Sequence, residues 1–253
     1  MKIASILIAV VALVSGANAS DNTGNSNVVT MAVADPSRPA SDTKRDADRK
    51  PAQTLAFAGI KSGDKVADYI AASGYFTRLF ANVVGSTGHV YAVEPTSFFQ
   101  FEHFVKDVAE LQGYAVTHPN VTITTSAALE GLKFPDKLDL IWISRNYHDL
   151  HDKFMGPVDV AAFNKGVYSA LQPGGLYVIL DHSAAAGAPA DVTETLHRIE
   201  SSTVRREVEA AGFKFASESS ILANPADPRT TEVFDKTIRD KTDQFILKFR
   251  KPN

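Results

Sequence analysis

Asn146-Tyr147-His148-Asp149 puts an amide, a phenol, an imidazole and a carboxylate at consecutive positions, just beyond the apolar run Leu138-Asp139-Leu140-Ile141-Trp142-Ile143. An imidazole titrates near neutral pH and can move a proton, a carboxylate beside it can hold it in place, and an amide can align a polar ligand. A second constellation starts at Asp68, where Lys65-Val66-Ala67-Asp68-Tyr69-Ile70 reads as a buried strand that ends in the small-residue turn Ala71-Ala72-Ser73-Gly74 and opens a helix. Glu94 closes the next predicted strand, His89-Val90-Tyr91-Ala92-Val93, about 20 residues past that turn, where an acidic side chain can accept both hydroxyls of a ribose. Both constellations lie at strand ends, so a sheet must bring those ends together.

The elements that do so alternate strand and helix. A helix over Pro51 to Phe57 precedes strand one; a helix over Tyr75 to Val84 and a turn over Gly85 to Gly88 lead to strand two. A helix over about Phe98 to Leu111 follows, whose Phe98, Phe99, Phe101 and Phe104 are expected to pack on the sheet. Val121-Thr122-Ile123-Thr124 makes strand three. The near-continuous apolar run 138–143 makes strand four, and that pattern suits a central parallel position buried on both faces. A helix over Val158 to Leu171 is expected to stop at Pro173-Gly174-Gly175, before strand five at Leu176-Tyr177-Val178-Ile179-Leu180. The tail reads as a helix over Ser202 to Ala211, a strand over Phe213 to Ser219, a polar insertion from Asn224 to Asp243 and a last strand over Gln244 to Phe249. Two strands joined without a helix suggest an antiparallel pair at the sheet edge. The insertion is long for such a connection and could cover a cleft or simply project from the edge; Arg229 and Arg239 lie within it, and nothing in the pattern selects either.

Composition bounds the rest. With 253 residues, 44% of them hydrophobic and 22% charged, the chain suits one sizeable domain. Residues 1–19 have the pattern of a cleavable export signal: Lys2, an apolar run from Ile3 to Val14, and Ala17-Asn18-Ala19 before Ser20. The expectation is a periplasmic or secreted protein with no stable membrane insertion after cleavage. The chain has no cysteine, so neither a disulfide nor a cysteine-linked lipid can form. Residues 20–43, rich in Ser, Asn, Asp and Pro, read as a flexible leader before a domain spanning 44–253. A net charge of -3 offers no basic footprint for nucleic acid or an anionic membrane, so no polyanionic partner is expected.

From about Arg49 to Pro252 the chain resembles a family of exported bacterial predicted methyltransferases within the class I S-adenosylmethionine-dependent methyltransferases. The resemblance rests on Asp68-Tyr69 with Gly74-Tyr75-Phe76-Thr77-Arg78, on Val90-Tyr91-Ala92-Val93-Glu94-Pro95, on Arg145-Asn146-Tyr147-His148-Asp149-Leu150-His151 and on Leu171-Gln172-Pro173-Gly174-Gly175. Leu222-Ala223-Asn224-Pro225-Ala226-Asp227 and Lys241-Thr242-Asp243-Gln244-Phe245 extend it. The chain departs from the family at Ala71-Ala72-Ser73-Gly74, where the family tends to read Pro-Gly-x-Gly; Ala72 must adopt a glycine-like φ or narrow the ligand site by a methyl group.

The resemblance implies an α/β, Rossmann-like class I methyltransferase fold: a mostly parallel seven-stranded sheet, an antiparallel edge hairpin and helices on both faces. It implies S-adenosylmethionine as cofactor. Ala72 and Gly74 would approach its methionine part, Asp68 would organise the turn or meet the amino group, Glu94 would hold the ribose, and Ser126 would lie near the adenine. It also implies methyl transfer to a small molecule at Asn146, Tyr147, His148 and Asp149, with His148 as base, Asn146 orienting the acceptor and Tyr147 walling the methyl site. Two other readings stand beside this one: a noncatalytic binding protein on the same fold, and a metal-dependent enzyme built on His148, Asp149, Asp181 and His182. Spacing alone assigns no metal ligand.

Overall fold

The structure, a computed structural model, describes residues 26–126 and 133–253, so the export signal expected over 1–19 lies outside the described residues. No helix among the described residues is long and apolar enough to cross a membrane.

Seven strands form one sheet in the order β3-β2-β1-β4-β5-β7-β6. They are β1 (Lys65–Tyr69), β2 (His89–Pro95), β3 (Val121–Ser126), β4 (Leu138–Ser144), β5 (Leu171–His182), β6 (Lys214–Ser219) and β7 (Gln244–Arg250). The first five pair in parallel, whereas β7 runs antiparallel to both β5 and β6. The edge pair expected from the tail is therefore present, with the last strand inserted inside it. Strand β4 is central, as its apolar run implies: Leu140 and Trp142 enter one core layer and Ile141 and Ile143 the other. From the centre the strand order proceeds β1, β2, β3 to one side and β4, β5 to the other, so the sheet has its topological switch point between β1 and β4.

Helices cover both faces. Helix α4 (Pro51–Ala58) and α5 (Tyr75–Val84) pack on one side; α6 (Glu102–Thr117), α7 (Val160–Ala170) and α9 (Ser201–Ala210) contribute to the other. Three boundaries differ from the sequence reading. The segment from Phe98 divides into a 3-10 piece, Thr96–Gln100, and α6, with extended Phe101 between them; this angle lets Phe98 reach Phe104 and Phe154, with ring centroids 4.9 and 5.1 Å away. Helix α7 begins at Val160 because the Asp159 carboxylate accepts from the Ala162 amide at 2.9 Å. Pro173-Gly174-Gly175 lies within β5 rather than ahead of it. The β4–β5 register jumps across it, from Leu138↔Leu171 to Leu140↔Leu176, and Gly174 bulges at φ 78°.

The flexible leader expected over residues 20–43 is corrected for its described part. Residues 26–33 are helical (α1), and α2 (Ala40–Thr43) and α3 (Asp46–Arg49) follow. Val29 and Ala32 are buried in the core layer beneath α5. Polar composition suggested solvation, but these charges have partners far along the chain. Asp42, fully buried, accepts from Arg78 Nε at 2.7 Å and Nη2 at 2.9 Å, while Asp46 accepts from the Tyr75 hydroxyl and, in a two-pronged pair, from Arg38. Removing one member of such a buried pair strands a charge at about 3–5 kcal/mol, which ties this segment to α5.

Candidate active site

A cavity of about 650 Å³ opens at the switch point. The loop after β1 (Ile70, Ala71, Ala72, Ser73) and the loop after β4 (Ser144, Arg145, Asn146) form its floor, and Arg45 and Arg49 reach it from the amino-terminal helices. Phe98, Phe101 and Phe104 wall it, so these aromatics serve the cavity as well as the core. Val233, Phe234, Arg239 and Asp240 bring part of the polar insertion to its rim. Arg229 is engaged elsewhere, 2.8 Å from Asp243.

The β1 loop is strained. Ile70 has φ 60°, Ala72 φ 50° and Gly74 φ 80°. A left-handed φ costs an L-residue about 1–2 kcal/mol, and a β-branched one is a genuine outlier. Ala72 thus adopts the glycine-like conformation, lines the cavity and packs against the core layer. Replacing Ala72 with Gly is expected to raise unfolding free energy by about 0.5–1 kcal/mol, the relief of strain exceeding the added chain entropy. Chemical denaturation checks this, and a destabilised variant would show that the loop is unstrained. Gly74 has another role than the one expected: it is not a cavity residue, and a Cβ on it would collide with the Leu111 side chain of α6. It is a packing glycine at the amino end of α5.

Asp68, buried, lines the cavity floor and accepts from the Thr77 hydroxyl at 2.6 Å. Burial raises its pKa to about 7, against the pull of Thr77 and Arg49. Glu94 is fully buried, and neither of its oxygens has a well-formed hydrogen bond. Burial and the neighbouring Asp68 push its pKa well above the usual carboxylate value, and the Ala72 amide draws it only partly back. It stands behind the Ala72 loop rather than in the open cavity. Two adjacent buried acids with acceptor capacity to spare are suited to ligand hydroxyls or an amino group. Ser126, at the end of β3 and paired in register with Pro95, is not a cavity residue, and its neighbour Ala127 lies outside the described residues.

Two arginines to which the sequence reading gave no role line the same cavity. Burial and Arg145 together lower the Arg49 pKa to about 9, and its Nε has no acceptor. Arg145, held at φ 63° with Nε donating to Gln244 at 3.0 Å, is likewise lowered by burial. Two neighbouring guanidiniums on one cavity, neither in an ion pair with a carboxylate among the described residues, suit an anionic ligand group. The residue-type pattern carried no signal for them, since Arg49 comes from a segment read as lying near the leader.

The tetrad after β4 is divided by its own geometry. Asn146, His148 and Asp149 face the cavity, but Tyr147 turns into the core, where its hydroxyl donates to Glu207 at 3.0 Å and accepts from Asn164 at 2.8 Å. The expectation that Tyr147 walls the methyl site is therefore corrected. Asn146 donates to Asp149 at 2.8 Å, which leaves its side-chain oxygen free to face a ligand. His148 Nδ1 lies 2.9 Å from Asp181, which also accepts from the His148 amide. Burial works against a charge on His148, yet Asp181 and Asp149 prevail and raise its pKa to about 9, so it is a poor base at neutral pH. Burial raises Asp149 to about 6. The set His148, Asp149, Asp181 and His182 does not converge as the metal reading required. Asp181 lies behind His148, and His182, its ring 6.3 Å from His148, is bonded to Thr242 and kept neutral by burial and Arg145.

No protein-family profile and no curated protein sequence matches this chain. Solved structures do. A methyltransferase dependent on S-adenosylmethionine from Aquifex aeolicus superposes with a TM-score of 0.54 at 18% identity, covering 89% of this chain and 97% of its own. One from Mesorhizobium loti gives 0.56 at 16% identity, covering 82% and 100%. Fibrillarin from Aeropyrum pernix, solved with natively bound S-adenosyl-L-methionine, gives 0.51 at 16% identity over 81% and 76%. The fold is that of the class I methyltransferases. At these identities the likeness extends to architecture, and the chemistry of a methyltransferase fold must be argued from this chain's own cavity.

Proposed function

We propose that this protein binds S-adenosylmethionine and transfers its methyl group to a small molecule in the switch-point cavity. The observation that carries the reading is Glu94, a buried carboxylate without a well-formed hydrogen bond at the carboxyl end of β2, beside Asp68 at the end of β1. Burying an unpartnered carboxylate is costly, and a ligand that brings hydroxyl donors would offset that cost. Glu94 would hold the ribose hydroxyls, Asp68 the amino group, and Arg49 the carboxylate of the methionine part, with the Ala71–Ser73 backbone alongside. When bound, the sulfonium supplies an activated methyl group.

The chain's own contribution is alignment and proton handling. Asn146, anchored on Asp149, would orient the acceptor through its free side-chain oxygen, and Phe98, Phe101 and Phe104 would exclude water. Asp149, beside Asn146, is a cavity group able to take an acceptor's proton at neutral pH, a role His148 loses by being already protonated. The export signal read over residues 1–19 adds the proposal that this takes place in the periplasm or outside the cell.

Calorimetric titration of the chain lacking residues 1–19 with S-adenosylmethionine, and separately with S-adenosylhomocysteine, tests the reading. Binding of either in the micromolar range is expected. No heat and no thermal shift at millimolar ligand would refute it in favour of a noncatalytic binding protein.

A further inference from the structure

We infer that His148, Asp149, Asp152 and His197 form a binding site for a first-row transition-metal dication of the zinc, iron or manganese type. One donor atom from each lies within 4.8 Å of all the others. His148 Nε2 is already 3.4 Å from Asp149 Oδ1, close to the edge of about 3.3 Å that a tetrahedral site with bonds of about 2.0 Å would have. His197 Nδ1 is 4.0 Å from Asp152 Oδ2.

Three independent observations point to a ligand here. Asp152 is only 2% exposed, and both its oxygens lack a well-formed hydrogen bond, although the Thr193 side chain comes near enough to favour its charge. A buried carboxylate without a well-formed hydrogen bond, beside two imidazoles, is a donor suited to a cation. His148 is pinned through Nδ1 by the buried Asp181, which leaves Nε2 directed at the cluster; a carboxylate behind the distal nitrogen is how metal-binding imidazoles are oriented. His197 is held at φ 53°, a strained conformation for a non-glycine residue, of the kind that clusters at functional sites. No Lys or Arg among the described residues forms an ion pair with Asp149, Asp152 or Asp181; their ionic partners are the imidazoles of His148 and His197, and a dication would take the place of the imidazole proton among the carboxylates.

The donor set decides the class of metal. Two imidazoles disfavour magnesium and calcium, which take oxygen ligands, and two carboxylates disfavour soft monovalent copper. Helix α8 (Val192–Leu196) ends at His197, so the ligand that sequence reasoning missed lies 45 to 49 residues beyond the others and comes from a different segment. Because His148, Asp149 and His197 also line the cavity, a bound dication would present an open coordination position to its occupant. An acceptor hydroxyl bound there would lose its proton more readily. The metal site stands on its own donors and does not depend on the methyl-transfer reading.

The test is calorimetric titration of chelator-treated protein with Zn²⁺ and Mn²⁺, with Mg²⁺ and Ca²⁺ as controls, together with thermal unfolding. One equivalent of Zn²⁺ or Mn²⁺ is expected to bind and to raise the melting temperature. Asp152→Asn and His197→Gln should each weaken binding by about 100-fold. Asp152→Asn should also melt no lower than wild type without metal, since it removes a buried unpaired charge; His197 is partly exposed, so its variant tests the site even if the first fails to fold. Absence of a one-equivalent site, preference for Mg²⁺ over Zn²⁺, or wild-type affinity in His197→Gln would overturn the inference.

Discussion

Glu94→Gln is expected to weaken S-adenosylmethionine and S-adenosylhomocysteine binding by about 10- to 100-fold, because hydrogen bonds to a charged acceptor contribute about 1.5–3 kcal/mol each. The amide keeps the size of the side chain but removes the charge and half of its acceptor capacity. The same change should leave the unliganded protein at least as stable above neutral pH, since the carboxylate it replaces is fully buried and lacks a well-formed hydrogen bond. A residue that merely supports the fold would behave in the opposite way, losing stability and affinity together. Calorimetry paired with thermal unfolding at pH 8 separates the two, and wild-type affinity in the variant would remove Glu94 from the ligand site.

The second large effect is on pH dependence. Asp68 has its pKa raised from 3.8 to about 7 by burial, with Thr77 and Arg49 pulling the other way, and Glu94 beside it is raised as well. Between these pH values the unfolded chain has released its proton while the folded chain keeps it, so the folded state binds more protons and stability falls as pH rises. The contribution is fully present below about pH 4 and lost as pH passes through about 7. A shift of this size corresponds to on the order of 4 kcal/mol. Asp68→Asn should therefore lose much less stability than wild type between pH 5 and pH 8 in urea unfolding. Parallel pH profiles would show that Asp68 is ionised throughout this range.

Much of the architecture was legible because it rests on local periodicity. The bounds of α5, the buried run of β4 and the antiparallel edge all follow from which residues alternate or recur in the sequence. Boundaries moved where a single contact decided them, as with the Asp159 cap of α7 and the bulge inside β5. Composition misjudges the amino-terminal segment because it treats charges as solvated, whereas Asp42 and Asp46 find Arg78 and Tyr75 on α5.

The sequence by itself determined the chemistry present: acids at the ends of β1 and β2, and an amide, an imidazole and a carboxylate after β4. Only the tertiary structure decided which of them act together. It turned Tyr147 away, made Gly74 a packing residue, left Glu94 without well-formed hydrogen bonds and brought His197 to Asp152. The reason is physical. Residue type sets what a side chain can do, but its neighbours, its desolvation and hence its pKa arise from contacts between segments distant in the chain, which no local pattern encodes.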